Sequence, residues 1–392
     1  MTIKHVPLKL TAAIAILGLS PLTLGQESAS GLSYGLDSEL RYDDNIYRSE
    51  SSEKASFILA ASPFVKATFL NQGNSYQVGY RLNYAEYFSA SADSYDDHEF
   101  SADINHRFTT RQAINAKVSH KLLTEQRGTG FSEEPNTLVR SPDDYDATQF
   151  AFTYFIGAPQ ARARVELNAT RDVLSFDSSY VGDTRDYKAD QLGALLRYRV
   201  GARTDLLAEY RNLNVSYDNT PLDANGQPFD LDSDEDYYLA GISWELTAKT
   251  RGEVRVGRSE RDYDDFSSSN THWEAELEWR PLSYSEFVLT SGRESLETYG
   301  TGRFINVKKH SLAWNHAWRG RVSTKLQAGV TNDDYEDSSR RDDQTFWLAE
   351  VFYEPRTWLK LSGGVAYNEN DSNFELVNYE RNLVFIKANV EL

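Results

Sequence analysis

HWEAELEWRPLSYSEFVL, residues 272–289, separates into two lists when every second residue is read. Trp273, Ala275, Leu277 and Trp279 fall on one side; Glu274, Glu276, Glu278 and Arg280 fall on the other. Side chains of a β-strand alternate between its faces, so this is a strand with one bulky apolar face and one charged face. Two environments suit it: a half-buried place in a soluble sheet, or a wall with lipid on one side and water on the other.

The same alternation recurs along the chain. Ala163, Val165, Leu167 and Ala169 oppose Arg162, Arg164, Glu166 and Asn168, while Val254 and Val256 oppose Glu253 and Arg255. Near the carboxyl terminus Val384, Ile386, Ala388, Val390 and Leu392 oppose Lys387, Asn389 and Glu391. The connections separate the two environments. Short joints such as NQGNS (71–75), TTRQ (109–112), VGARTD (200–205), RPLSYS (280–285), WRGR (318–321) and EPRTW (354–358) alternate with long polar segments. Among the long ones are IYRSESSEKAS, SYDNTPLDANGQPFDLDSDED and NDDYEDSSRRDDQ. A soluble sandwich has no reason to place every long loop at alternate connections, whereas a membrane barrel has short periplasmic turns and long outer loops. The repeat matches a propeller blade in length, but a blade holds four short strands and these units hold two long ones. The expected fold is all-β: a transmembrane antiparallel up-and-down barrel of about 18 strands.

Composition agrees with that reading. The chain has 392 residues, 13% aromatic residues, no cysteine and a formal charge of −18. Absence of cysteine excludes disulfides, a lipidated amino terminus and thiolate metal sites. The acidity argues against nucleic acid as a partner, because phosphate binding needs clustered Lys and Arg. Residues 1–25 carry Lys4 and Lys9 and then the apolar run LTAAIAILGLSPLTLG, the layout of a cleavable signal peptide. The barrel is expected over residues 26–392 in the outer membrane of a Gram-negative bacterium. No later stretch approaches the roughly 18 apolar residues of a spanning helix.

Aromatic residues crowd the ends of the strands. Phe69, Phe108, Phe155, Tyr198, Trp279, Trp318 and Trp358 lie beside short turns; Tyr42, Tyr47, Tyr84, Tyr217, Tyr263 and Tyr335 lie near long loops. Two such bands are expected to form interfacial girdles, with Trp279, Trp318 and Trp358 as their clearest members. The amino-terminal segment LRYDDNIYRSESSEKASFILAASPFVKATF, residues 40–69, resembles the start of the putative β-barrel porin 2 family through Tyr42, Asp44, Asn45, Ile46, Tyr47 and Pro63. That resemblance implies an outer-membrane barrel accompanying exopolysaccharide or capsule synthesis. It further implies a polysaccharide chain and periplasmic export components as partners, beside outer-membrane lipid and lipopolysaccharide.

If apolar residues face lipid, the opposite parity faces the lumen. That rule places Arg162, Arg164, Arg197, Arg199, Arg211, Arg255 and Lys325 inside, together with Glu166, Glu209, Glu253 and Glu274. Two roles are open to this wall: arginine forks that contact an anionic or hydroxyl-rich polymer, or cross-strand Arg and Glu pairs that stabilise the barrel. Asp230, Asp232 and Asp234 share the first spacings of a calcium loop, but Glu235 stands where its glycine belongs, so no metal is assigned. No zinc-protease His spacing and no nucleophile elbow occur, so no catalytic residue, enzyme activity or cofactor is expected. The functional expectation is a conduit or porin for exopolysaccharide secretion. A general diffusion porin or sugar-uptake channel is the alternative, with an outer-membrane enzyme behind it.

Overall fold

A computed structural model describes residues 30–132, 142–177, 184–221, 229–247, 249–298 and 301–392. The proposed signal peptide lies outside these residues. Eighteen strands follow one another: β1 Gly31–Asp43, β2 Ser56–Asn71, β3 Asn74–Tyr87, β4 Tyr95–Thr109, β5 Gln112–Glu125, β6 Asp143–Ile156, β7 Ala163–Phe176, β8 Tyr187–Gly201 and β9 Thr204–Tyr217. The second half comprises β10 Ser233–Thr247, β11 Thr250–Asp262, β12 Ser267–Leu282, β13 Ser285–Glu297, β14 Phe304–Ala317, β15 Val322–Tyr335, β16 Arg341–Arg356, β17 Leu359–Ser372 and β18 Tyr379–Glu391. Each pairs antiparallel with its sequence neighbours, and β1 pairs with β18 from Gly35 opposite Glu391 to Asp43 opposite Leu383, so the sheet closes and has no free edge. Six of the eight short turns leave only two residues between strands, while that between β6 and β7 leaves six and that between β14 and β15 four. Between β2 and β3, Gln72 and Gly73 have φ of 51° and 81°, the left-handed pair that matches the twist of the flanking strands.

The outward face is apolar over a limited height. On β8 it presents Leu192, Ala194, Leu196, Tyr198 and Val200, about the 9–11 residues that a tilted strand needs to cross the bilayer core. On β12 Trp279 faces outward and Glu274 is buried inside, as the opening alternation requires. Trp279, Trp318 and Trp358 are 48%, 52% and 45% exposed beside their short turns. Trp279 stacks on Phe287, whose ring stacks in turn on Trp314, giving a continuous aromatic band on β12–β14.

Closer to the long loops the polarity of the faces exchanges. On β8 Lys188 and Asp190 face outward while Tyr187 and Ala189 are buried within the barrel. On β9 Asn212 and Asn214 face outward while Leu213 and Val215 face in. The strands outrun the hydrocarbon there, so the outer face meets water or headgroups and the inner face can gather apolar groups. Tyr145, Leu174, Phe176, Tyr187, Ala189, Leu213, Val215, Tyr237 and Leu239 form one such internal core. Two expectations change as a result. Tyr217 packs against this core, and Tyr263 and Tyr335 are buried, so the tyrosine girdle at the long-loop end keeps only Tyr42 and Tyr84 facing outward. Phe155, paired with buried Glu166, also turns inward.

Candidate functional site: the barrel lumen

The lumen has two unlike sides. On β7–β13 the barrel wall curves tightly, and side chains two or three strands apart touch: β10 and β12 come together although β11 lies between them. Arg197 on β8 binds Glu166 on β7 at 2.6 Å and reaches Glu253 on β11 at 2.8 Å. Arg255 on β11 binds Glu209 on β9 at 2.5 Å and Glu274 on β12 at 2.7 Å. Arg211 joins the same two carboxylates at 2.9 and 2.7 Å, and His272 contacts Glu274 at 2.9 Å. Nearer the short turns Arg164 and Arg199 share Asp205. Five guanidinium groups (Arg164, Arg197, Arg199, Arg211, Arg255) thus meet five carboxylates (Glu166, Asp205, Glu209, Glu253, Glu274). Their charges balance, and most of the groups are buried.

This arrangement sorts the residues named from sequence. Arg164, Arg197, Arg199, Arg211 and Arg255 do line the lumen together, and each is bound to carboxylates. Lys325 lies across from Glu350 in the β15–β16 ladder. Arg162 does not join them. It precedes the first residue of β7, is exposed, and its guanidinium lies over the outward-facing ring of Tyr198 at 5.3 Å. The parity rule fails for it because the strand has not yet begun. A second layer was missed: Arg261 binds Glu297 at 2.6 Å, Tyr217 donates to the same carboxylate at 2.7 Å, and Ser295 donates to Glu235 at 2.9 Å. No local spacing could reveal it, since these partners sit on strands two to four apart.

The other side, on β2–β6, is wet. Ser101, Asn105 and Lys117 face inward and are exposed. Amides and hydroxyls form a ladder around them: Gln77 donates to Thr68 at 3.1 Å, Asn83 to Glu99 at 3.0 Å, Asn115 to Asn105 at 2.8 Å and Thr153 to Asn168 at 2.9 Å. The charges here are paired more loosely, Lys117 with Asp103 at 3.5 Å and Lys121 with Glu99 at 3.7 Å. Lys66 has no ionic partner among the described residues.

The long loops fold over the mouth around two arginines. Arg48, buried in the β1–β2 loop, donates to Arg127 O at 2.8 Å and to Gln126 at 3.1 Å on the β5–β6 loop. Burial and the nearby charge of Arg381 pull its pKa down to about 10. Gly128 must be a glycine at this contact: its φ is +69°, and a Cβ would lie 2.4 Å from Tyr47 O. The segment that carried the family resemblance builds this latch. Asn45 donates to Ser49 O at 3.0 Å and to Glu380 O at 2.9 Å, Asp44 accepts from Asn382, and Ile46 packs on Ile58, Ala85 and Tyr87. Tyr42 packs against Phe57 with the rings tilted at 57°, Tyr47 lies under Arg127, and Pro63 faces outward on β2. Across the mouth Arg303 binds Asp265 at 2.8 Å and Asp337 at 3.2 Å and lies over the rings of Phe229, Tyr263 and Phe266. Asp230, Asp232 and Asp234 do not converge: Asp230 accepts from the Asp232 amide, Asp232 from that of Tyr217, and Asp234 from Asn214.

A sequence family described as putative β-barrel porin 2 matches residues 35–392. The chain belongs to that family. No curated protein matches it in sequence. Among solved structures, the outer-membrane protein OpdK of Pseudomonas aeruginosa superposes with a TM-score of 0.51 at 10% identity, covering 92% of this chain and 99% of that one. The same protein with vanillate gives 0.50 at 9% identity and the same coverage. The FrpB iron transporter from Neisseria meningitidis gives 0.49 at 13% identity over 87% of this chain, which spans 62% of the transporter. The likeness to OpdK is one of fold, a closed barrel, and it agrees with the family's description as a porin of the outer membrane.

Proposed function

We propose that this outer-membrane barrel is a passive conduit for a hydrated, hydroxyl-rich polymer of the exopolysaccharide class. The observation that carries the reading is the inward ladder of amides, hydroxyls and loosely paired charges on β2–β6, facing a side whose arginines are already bound to carboxylates. Amides and hydroxyls exchange hydrogen bonds between water and sugar hydroxyls for only about 0.5–1.5 kcal/mol net each. A chain passing such a wall is held weakly at many places, which conduction requires. Polymer contact falls to this ladder and to Lys325, with Arg164 and Arg199 at the rim of the paired side; Arg197, Arg211 and Arg255 hold the wall. The reading uses no catalytic residue and no cofactor. Periplasmic export components would meet the short-turn end, and lipopolysaccharide would surround the long-loop end.

The deciding experiment is conductance of the purified protein in a planar bilayer with bacterial polysaccharides added to either side. Current that a polysaccharide interrupts, and that small sugars do not, supports the conduit. A pore indifferent to every polymer makes it a general diffusion porin, and a silent bilayer removes the conduit altogether.

A further inference from the structure

The long loops of this acidic chain hold much of its acid, while six of the eight short joints carry Arg or Lys. Across the barrel nearly every inward arginine has a carboxylate. Several at the short-turn end do not, Arg107, Arg111, Arg203 and Arg319 among them, but among the described residues Arg321 and Arg356 are the pair that converges on one acceptor. Arg321, in the β14–β15 turn, donates from Nη1 to Pro355 O at 2.5 Å, and Arg356, at the end of β16, donates from Nη1 to the same oxygen at 3.1 Å. Both side chains are exposed. The one carboxylate close in sequence, Glu354, is turned to Lys360 at 3.2 Å, and neither arginine has an ion pair among the described residues.

Two cations that share one neutral acceptor repel each other until an anion sits between them. The fold also holds Arg321 in an unfavourable backbone state: its φ is +67°, where a residue with a Cβ is disfavoured and glycine is at home. The turn has a glycine next to it, Gly320 at +78°, so the arginine at 321 is not there to make the turn. The pair lies between Trp318 and Trp358, exposed members of the band that marks the interface with the inner leaflet. Guanidinium groups at that height stand level with lipid phosphates, and their planar forks suit phosphate oxygens.

We propose that Arg321 and Arg356 form a binding site for the phosphate of an anionic phospholipid of the inner leaflet, with Trp318 and Trp358 against the glycerol and upper acyl region. The ligand's phosphodiester takes one fork from each arginine. It neutralises the pair and fixes the β14–β15 and β16–β17 turns relative to each other.

The test is native mass spectrometry of the whole barrel released from vesicles of phosphatidylethanolamine containing phosphatidylglycerol. Wild type is expected to retain one phosphatidylglycerol more than Arg321→Gln/Arg356→Gln, with at least a several-fold weaker apparent affinity in the variant. Arg319→Gln, in the same turn but outside the shared contact, should retain lipid as wild type does. Arg321→Gly removes the side chain while suiting the backbone at that position, so it should fold at least as well and still lose the lipid. Heat-dependent gel mobility checks folding in each case. Equal retention by wild type and the double variant overturns the proposal. Displacement of the retained lipid by millimolar inorganic phosphate alone would assign the pair to free phosphate and overturn the lipid assignment; retention in its presence supports it.

Discussion

Asp43 is fully buried at the last residue of β1, and its carboxylate accepts from Nε of Arg381 at 3.0 Å across the seam where the first strand meets the last. Removing one partner of such a pair strands the other charge away from water at about 3–5 kcal/mol, whereas replacing both by apolar groups of similar bulk is often nearly neutral. Asp43→Asn is therefore expected to lower the unfolding free energy, measured by urea titration in lipid vesicles and read by tryptophan fluorescence, by that amount. Asp43→Leu with Arg381→Leu should recover most of it. A double variant no better than the single one would mean that the seam does not depend on this pair. The segment around Asp43 was legible at this scale only as a resemblance. Its tyrosine and Asp-Asn-Ile run stood out, but what Asn45 does became visible only when Glu380, which is remote in sequence, came within 2.9 Å of its amide. The arginines were legible as lumen residues by parity. Their carboxylates were not, because a strand's own sequence does not tell which strand two places away curls back toward it.

Single strands were the most readable objects in the sequence, because period two depends on nothing beyond the strand itself. What misled was the equation of apolar with lipid-facing along a whole strand. It holds on β8 from Leu192 to Val200 and reverses at Tyr187 and Ala189, where the strand has left the bilayer. The elements most removed from sequence reading are the loops, and the Arg303 latch gives them a pH dependence that can be measured. Asp265 lies in the turn after β11, and the hydrogen bond from Arg303 holds its carboxyl below the ordinary value of 3.8. A carboxyl depressed in the folded state contributes its stabilisation above the unfolded pKa and loses it as pH falls through the folded one. The latch should therefore hold at neutral pH and release only in acid below the ordinary carboxylate range. Hydrogen exchange of residues 301–303, corrected for its intrinsic pH dependence, should be slow at about pH 7 in the wild type and quicken only once the pH falls below the ordinary carboxyl value of 3.8. In Arg303→Gln it should already be fast at the higher value. Protection that is unchanged by both acid and substitution would show that the aromatic contacts of Phe229 and Phe266 suffice. On the opposite side Arg48→Ala should expose residues 44–55 to protease while leaving the unfolding free energy of the barrel, from urea titration, within about 0.5–1 kcal/mol, since it frees a loop without opening the sheet.

At the scale of the whole molecule the question is whether water and solute use one side of the lumen. The collapsed side contains Ser259, 3% exposed on β11 beneath the Arg and Glu network, and the wet side contains Ser101 and Asn105 on β4. The chain has no cysteine, so a single introduced thiol reports one position without background. Ser101→Cys and Asn105→Cys should react quickly with a charged, membrane-impermeant thiol reagent in vesicles, and Ser259→Cys should react slower by orders of magnitude, because burial denies both access and the thiolate form. A modified Ser101→Cys pore should lose a large share of its single-channel current, since a bulky charged group then stands in the only broad band of inward water-exposed polar groups described on β2–β6. Equal reactivity at 101 and 259 would mean that the Arg and Glu side breathes open in the membrane, and the lumen would then be a single wide channel. If labelling discriminates but current is indifferent to the group at 101, water wets β4 without the ions passing along it, and the path must run beside Lys325 and Gln327 on β15 instead. Either departure moves the polymer contacts away from the amide ladder, which makes the labelling pattern the physical premise on which the conduit reading stands.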